Sequence, residues 1–428
     1  MIGKKTPIAA PFRILGPGLI TGAADDDPSG IATYSQGGAQ FGYALGWTMF
    51  LTTPFMIAIQ LVSARIGAVT GQGLAANLGK AMPPVLLHGL VGLLLIANTL
   101  NIAADIAAMG DALRLVIGGP ILIYIALFGT GCLAAEILVP YRTYSGYLKT
   151  LTLVLFAYVA AAFSVRIPWG QVLEATVLPH LSLDRDYTLM LVAIFGTTIS
   201  PYMFFWQASL EAEGRKLRSR AQDAAAAAAL PNRLAQRESF RIGIDTTAGM
   251  VLSNVIGFFI IVTTAATLHA HGITNIATAE QAAEALRPLA GPLTFFLFSA
   301  GIIGTGLLAV PVLAGSAGYA VAETRGWESS LELPARGAPG FYLVVAAATL
   351  AGLGAALTPL NPIRMLFWSA VVNGVVAVPL MVGMMVVVAS RGIMGRFAAS
   401  RSLMIFGWAA TALMAVVVAA MLTTTVGG

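Results

Sequence analysis

The sequence predicts an all-α membrane protein with eleven transmembrane helices, and three observations support that prediction. Of the 428 residues, 57% are hydrophobic and 10% are charged, and the mean hydropathy is +0.83. Soluble domains are about half apolar and one-quarter charged, so this composition excludes a soluble globular protein. The apolar residues form long runs, and two of these runs are interrupted by a proline beside polar residues.

The positions of the helices follow from run length, because a helix that rises ~1.5 Å per residue needs about 20 apolar residues to cross ~30 Å of hydrocarbon. We expect a single membrane domain over 1–428, with helices 1–5 forming a first repeat at 14–167. Helices 6–10 form a second repeat at 187–391, and helix 11 is additional. In chain order the predicted spans are 14–40, 42–66, 83–108, 119–139, 146–167, 187–212, 242–269, 291–322, 339–358, 363–391 and 402–424.

The distribution of basic residues predicts the orientation. With the N-terminus in the cytoplasm, 19 of the 24 Lys and Arg residues lie in inner segments, as the positive-inside rule requires. The C-terminus then lies outside, and the expected location is the bacterial inner (plasma) membrane. The net charge of +5 reflects these inner loops, including the basic 213–241 segment, and indicates no nucleic-acid surface.

Spans 1 and 6 are each interrupted near the middle. Span 1 contains DPSG at 27–30, and span 6 contains TTISP at 197–201. A proline inside a helix removes a backbone hydrogen bond and frees a carbonyl group, which hydrocarbon tolerates only where protein or a cavity satisfies it. Ordinary proline kinks would explain either interruption alone. Interruptions in matching helices of two repeats, one of them beside carboxylates, indicate a transport site near the bilayer midplane.

Three consecutive acids, Asp25, Asp26 and Asp27, lie at the first interruption. A charge at the bilayer centre costs at least ~2.5 kcal/mol, so the cluster requires a cation, protons or water. The inner half-helix also ends here, and its dipole and free carbonyls attract a cation. Because consecutive helical residues point ~100° apart, the three acids cannot all face one ion. We assign Asp27 as the metal ligand and expect Asp25 and Asp26 to line the approach or pair elsewhere.

The remaining candidate metal donors are also oxygen atoms. They are the hydroxyl of Ser200 and backbone carbonyls such as those of Ala24 and Thr197. Oxygen donors suit Mg²⁺, Ca²⁺ or Mn²⁺ better than softer metals. With so few protein ligands the ion would keep much of its water, which is the preference of Mg²⁺.

Several segments together resemble the Nramp family of divalent-metal transporters over most of spans 1–10. The resemblance implies a LeuT-type fold, in which two inverted five-helix repeats carry broken helices 1 and 6 at the midplane, and transport by alternating access. The segments are GPG at 16–18, DPSGIAT and QGGAQFGY within 27–43, QLVSARIGAVTGQGLA at 60–75, AADIAAMG at 103–110, GTTISP at 196–201, RIGID at 241–245, FWS at 367–369 and MG at 394–395.

The chain departs from the family pattern at the metal site itself. Gly30 occupies the position of an asparagine ligand, and Ser200 that of the methionine whose thioether is credited with favouring transition metals. Tyr202 and Gln207 stand where the family has histidines, and Ala370 where it has a glutamine. This pattern resembles the Nramp-related magnesium-transporter branch, in which the site holds a hydrated ion.

We therefore expect a secondary transporter that imports divalent cations, Mg²⁺ first and Mn²⁺ second, without tight proton coupling. The alternatives are a proton-coupled Mn²⁺ or transition-metal symporter, a selective channel, and a Na⁺-coupled amino-acid carrier of the same fold. No GxGD motif supports an intramembrane protease, and the single Cys132 excludes a disulfide framework or Cys cluster. We expect no cofactor, nucleic acid or obligatory protein partner; the partners are the metal substrate and the lipid bilayer.

A second set of polar residues is predicted to serve the ion approach or a proton path. Asp105 and Asp111 are carboxylates within span 3 or at its end, and intramembrane acids mark such paths. Asn98, Asn101 and Asn254 are interpreted as interhelical hydrogen-bonding residues. The full set for the approach or proton path is Asp25, Asp26, Asp105, Asp111, Tyr202, Gln207 and Asn373.

Overall fold

Helices form all the regular structure in the residues that the computed structural model describes, which are 17–139, 152–179, 181–221 and 232–426. Short helical turns of three to five residues lie in several connections, at Gly42–Leu45, Thr152–Leu155, His269–His271, Ala279–Ala283, Glu284–Leu286, Arg287–Ala290, Gly291–Leu293, Arg391–Met394 and Gly395–Phe397. The longer helices are α1 (Pro17–Asp25), α2 (Pro28–Phe41), α3 (Gly46–Thr70), α4 (Leu74–Ala81), α5 (Pro84–Ile117), α6 (Ile121–Leu138), α7 (Phe156–Ser164), α8 (Trp169–Val177), α9 (Arg185–Thr198), α10 (Pro201–Ala221), α11 (Asn232–Thr267), α12 (Thr294–Arg325), α13 (Pro339–Ala356), α14 (Pro362–Ala389) and α15 (Arg401–Val426).

Nine helical stretches of the described residues are long and apolar enough to cross a membrane. Eight of them correspond one to one with predicted spans 3, 4 and 6–11. The ninth, Pro28–Thr70, combines the second half of predicted span 1 with span 2. Predicted span 5 falls partly outside the described residues, and its described portion is Thr152–Leu155 and α7. The total of eleven spans and their repeat relationship therefore stay predictions.

Span 1 is broken where the sequence predicts it, between α1 and α2. Pro28 starts α2, where its fixed φ suits the first helical position and its missing N–H would have had no intrahelical partner. Asp27 precedes it in an extended conformation, with ψ of 171°, and its side chain caps α2 by accepting from the Gly30 N–H. The same local chemistry that ends one half-helix therefore fixes the Asp27 carboxylate.

Span 6 is broken in the same way. Helix α9 ends at Thr198, Ile199 leaves the helical conformation with ψ of 61°, and α10 starts at Pro201. The surroundings are closely packed, because Gly196 lies against the backbone of α14 so tightly that an added Cβ would lie 2.1 Å from the Ala370 carbonyl oxygen. The second break therefore lies deep among helices.

The first half-helix of the broken span, α1, packs along one face of α11. A Cβ added at Gly22 would lie 2.4 Å from the carbonyl oxygen of Gly249, so the two backbones touch there. The Gly18 N–H donates to the buried Asp245 carboxylate at 2.8 Å. These contacts attach α1, which ends beside the three acids, to a helix far along the chain.

Candidate functional site

The carboxylate of Asp27 lies at the centre of the site and is 2% exposed. Its Oδ1 accepts from the Gly30 N–H at 2.7 Å, and its Oδ2 accepts from Asn101 Nδ2 at 2.9 Å. Each carboxylate oxygen has further lone pairs beyond the one used here. Asp27 is therefore held in one orientation and retains acceptor capacity for a cation.

Gly30 and Thr197 bring the two helix breaks together. A Cβ added at Gly30 would lie 3.2 Å from Thr197 Oγ1, 3.1 Å from the Asp25 carbonyl oxygen and 3.6 Å from Asp27 Oδ1. A side chain at position 30 would therefore start among three oxygen atoms. Glycine therefore fits this position without displacing any of these atoms.

The hydroxyls of Ser200 and Tyr202 contact the backbone carbonyls that the sequence suggested as ligands. Ser200 Oγ lies 2.9 Å from the Thr197 carbonyl oxygen and 2.8 Å from that of Gly196. The Tyr202 hydroxyl donates to the Ala24 carbonyl oxygen at 3.0 Å. Because a carbonyl oxygen accepts at two lone pairs, Ala24 and Thr197 each keep one for an ion, and so does the Ser200 hydroxyl.

Asp25 and Asp26 face α11 and bond a side chain that the sequence did not single out. The Ser253 hydroxyl lies 2.6 Å from Asp25 Oδ2 and 3.2 Å from Asp26 Oδ1. Both acids are buried. The carboxylates of Asp25 and Asp26 therefore pair with α11 through Ser253.

Asn101 links the Asp27 carboxylate to Asp105 and Asn373. Its Nδ2 donates to Asp27 Oδ2 and also to Asp105 Oδ2 at 3.1 Å, and its Oδ1 accepts from Asn373 Nδ2 at 3.3 Å. The sequence alone favours an interhelical hydrogen-bonding role for Asn101 over a place in the site. The spacing of Asn101 and Asp105, four residues apart on one helix face, was the signal that could have placed it in the site.

Asp111 and Gln207 have partners outside the Asp27 cluster. Asp111 pairs with Arg114 at 2.8 Å and lines a pocket that Ser35 also lines. Gln207 Nε2 donates to Thr246 Oγ1 at 2.8 Å. Asp111 therefore lies in the wall of that pocket. Gln207 lies where α10 contacts α11.

The arrangement supplies oxygen donors without a compact metal-binding cluster. Within the described ranges, no group of three or more His, Cys, Asp and Glu side chains is placed to hold one metal ion. The donors around Asp27 are instead one carboxylate, hydroxyls, amides and main-chain carbonyls. Such a set suits a hard cation that brings its own water as further ligands.

Comparison with known proteins identifies relatives over most of the chain. Residues 18–424 match the model of a family described as natural resistance-associated macrophage protein-like, or Nramp. The divalent metal cation transporter MntH of Erwinia tasmaniensis is 28% identical over 306 residues, which are 69% of this chain and 68% of the relative.

Two solved structures have a similar fold. A manganese transporter of Eremococcus coleocola aligns with a TM-score of 0.74 at 15% identity, covering 99% of this chain and 88% of that one. A nucleobase-cation-symport-1 family transporter, in a closed conformation, aligns with a TM-score of 0.56 at 12% identity, covering 96% and 92%. The helices of this chain therefore have the same overall fold as these two solved structures.

Proposed function

The chain belongs to the Nramp family of membrane transporters, and we propose that it imports divalent metal cations, primarily hydrated Mg²⁺, by alternating access at the Asp27 site. The chain is a multi-pass membrane transporter and not an enzyme. Its relatives include divalent metal cation transporters and its structural neighbours include a manganese transporter. What we propose beyond family membership is the preference for Mg²⁺ over Mn²⁺, the inward direction of transport and the alternating-access mechanism.

The chemistry around Asp27 carries the proposal. Its neighbours at the two breaks are oxygen donors: the Thr197 hydroxyl, the Ser200 hydroxyl and the carbonyl groups of α1 and α9. No thioether stands at position 200 and no histidine at position 202 or 207. Soft ligands favour transition metals, whereas oxygen ligands suit Mg²⁺, Ca²⁺ and Mn²⁺. Gly30 supplies no side-chain ligand beside Asp27, which leaves water to complete the coordination of the ion.

The membrane potential supplies a sufficient driving force without protons. A divalent cation that moves inward across 100 mV gains ~4.6 kcal/mol, twice the value for one charge. The positions of the two family histidines are occupied by Tyr202 and Gln207, which do not change charge near neutral pH. We therefore propose uptake that is not tightly coupled to protons.

A proton-coupled Mn²⁺ symporter is the second candidate, and one observation favours it. Asp105 is completely buried and joins Asp27 through Asn101, so an acid stands next to the metal ligand where a proton could be carried. The manganese transporter of similar fold agrees with this candidate as well as with the first.

Uptake into proteoliposomes with a pH reporter inside separates the two candidates. The chain is reconstituted as native protein, as Asp27→Ala and as Asp184→Ala, a matched control that removes an exposed carboxylate in a connection. We expect saturable Mg²⁺ uptake by the native chain and the control, driven by an inside-negative potential, without internal acidification. The Asp27→Ala variant should lose at least about tenfold in uptake, because a ligand charge is removed.

Two other results would contradict the proposed Mg²⁺ transport at Asp27. Mn²⁺ uptake with acidification and no Mg²⁺ entry would show a proton-coupled Mn²⁺ symporter. Unchanged Mg²⁺ uptake in Asp27→Ala would remove Asp27 from the site.

A further inference from the structure

Asn101 uses both hydrogens of one amide nitrogen on two different carboxylates. Nδ2 lies 2.9 Å from Asp27 Oδ2 and 3.1 Å from Asp105 Oδ2. The two hydrogens of a planar amide diverge by about 120°, and with that ideal geometry the two Oδ2 atoms are about 5 Å apart. Asn373, on α14, donates to the oxygen of the same amide at 3.3 Å. One fully buried side chain therefore sets the spacing between Asp27 and Asp105.

That spacing decides how a cation at Asp27 can interact with Asp105. Mg²⁺ binds oxygen at about 2.1 Å, so two oxygens about 5 Å apart are too distant to ligate one bare ion. A water bound to the ion extends its reach by a hydrogen bond of about 2.7 Å. A hydrated ion held by Asp27 therefore meets Asp105 at the distance of a water-mediated contact.

Two further oxygens at this place have no protein partner. Asp105 Oδ1 and Asn373 Oδ1 are buried and accept no hydrogen bond from any residue that the structure describes. A buried acceptor without a partner is destabilising, and native structures satisfy most such atoms with protein or ordered water. Both atoms belong to side chains that bond Asn101, which itself bonds the proposed metal ligand.

We infer that Asp105 and Asn373 bind the water shell of the transported cation, and that Asn101 is the positioning residue that aligns them with Asp27. Asp105 and Asn373 accept hydrogen bonds from the waters, while Asp27 ligates the metal. This inference rests on the proposed transport of a hydrated divalent cation and adds the groups that recognise its water. It predicts that a complex with a fixed octahedral shell of hydrogen-bond donors competes with Mg²⁺.

Hexaamminecobalt(III) is the probe, because its six ammine ligands do not exchange and imitate the shell of hexahydrated Mg²⁺. Mg²⁺ uptake into proteoliposomes is measured with and without it for the native chain, Asp105→Leu, Asp105→Asn, Asn101→Leu and Asn373→Leu. The matched control is Asn98→Leu on the same helix. Asn98 is also fully buried with an unpartnered oxygen, but its amide donates to α12, at Leu313 O and Ser316 Oγ.

We expect hexaamminecobalt(III) to inhibit native uptake competitively. The Asp105→Leu and Asn101→Leu variants should raise the KM for Mg²⁺ about tenfold with Vmax within about twofold, and weaken inhibition by a similar factor. Asp105→Asn, which keeps the shape and one acceptor, should have a smaller effect. A double variant of Asn101→Leu and Asn373→Leu should be no worse than Asn101→Leu alone, because Asn373 is aligned with the water shell only by its hydrogen bond to Asn101.

Three results would overturn the inference, and they are distinct from failure of the proposed function. The first is Mg²⁺ uptake that hexaamminecobalt(III) does not affect. The second is a KM in the Asp105→Leu and Asn101→Leu variants that equals that of Asn98→Leu. The third is a fully additive effect of the Asn101 and Asn373 substitutions. A native chain that takes up neither Mg²⁺ nor Mn²⁺ would reject the proposed function itself, and the inference with it.

Discussion

Gly30 lies between Asp27 and Thr197 and contributes no side chain to the site. The position of an added Cβ lies within 3.6 Å of three oxygen atoms from both helix breaks. Ser200, across the second break, offers a hydroxyl that contacts the Thr197 carbonyl. Neither Gly30 nor Ser200 therefore places a soft ligand beside Asp27.

Substituting both residues should change the metal preference. In a Gly30→Asn and Ser200→Met double variant, an amide oxygen and a thioether replace water around the ion, and a soft ligand favours Mn²⁺ over Mg²⁺. We expect the ratio of Mn²⁺ to Mg²⁺ uptake efficiency to rise about tenfold. Competition between the two ions in proteoliposomes measures the ratio.

The control for this swap is Gly131→Asn, at a helical glycine where an added Cβ meets no atom within 4 Å. It should leave the ratio unchanged. An unchanged ratio in the double variant as well would mean that these two positions do not set the preference.

Helix α1 is held against α11 along its whole length, which is the main element-scale feature near the site. Asp245 accepts from the N–H of Gly18, Gly22 touches Gly249, and Ser253 reaches Asp25 and Asp26. Residues 245, 249 and 253 are four apart and so share one face of α11. The position of α1, and with it the acids, depends on this face.

A larger residue at Gly22 should force α1 away from α11. The Cβ of Gly22→Val would lie 2.4 Å from the Gly249 carbonyl oxygen, and neither backbone can yield cheaply. Overpacking of this kind costs about 1–3 kcal/mol. We expect a lower thermal midpoint in detergent and an uptake rate reduced severalfold.

Gly243→Val, on α11 but facing open space, provides the comparison for Gly22→Val. It should keep the native midpoint and rate. If Gly22→Val behaved the same way, α1 would not depend on its contact with Gly249.

For the whole molecule, the orientation in the membrane follows from the distribution of basic residues and can be tested directly. The stretch Ala279–Arg325 is one of the nine candidate spans. The exposed residues Thr274 and Glu328 flank its two ends, so they must lie on opposite sides if it crosses once. The predicted orientation puts Thr274 outside and Glu328 in the cytoplasm.

A membrane-impermeant maleimide should therefore label Thr274→Cys in intact cells and label Glu328→Cys only after lysis. The only native cysteine, Cys132, is fully buried and should give little background. The reverse pattern would invert the predicted orientation, with the N-terminus outside.

The fold could be predicted to the extent that its signals are local. Apolar runs located the spans, because length and hydropathy are properties of each segment. Both breaks occur at Pro28 and Pro201, because proline ends a hydrogen-bond pattern wherever it stands. Less local features were less predictable: α5 continues nine residues past the predicted end at 108, where Asp111 and Arg114 form an ion pair three residues apart.

The sequence by itself determined that the chain is an all-helical membrane protein with two proline breaks and three acids at the first. It could not determine which partners those acids meet. Asp25 bonds a serine 228 residues away, and Asp27 an asparagine 74 residues away. Such contacts depend on the rotation and packing of whole helices against each other, which no single segment encodes. Only the tertiary structure could therefore bring Asn101, Asp105 and Asn373 to the site.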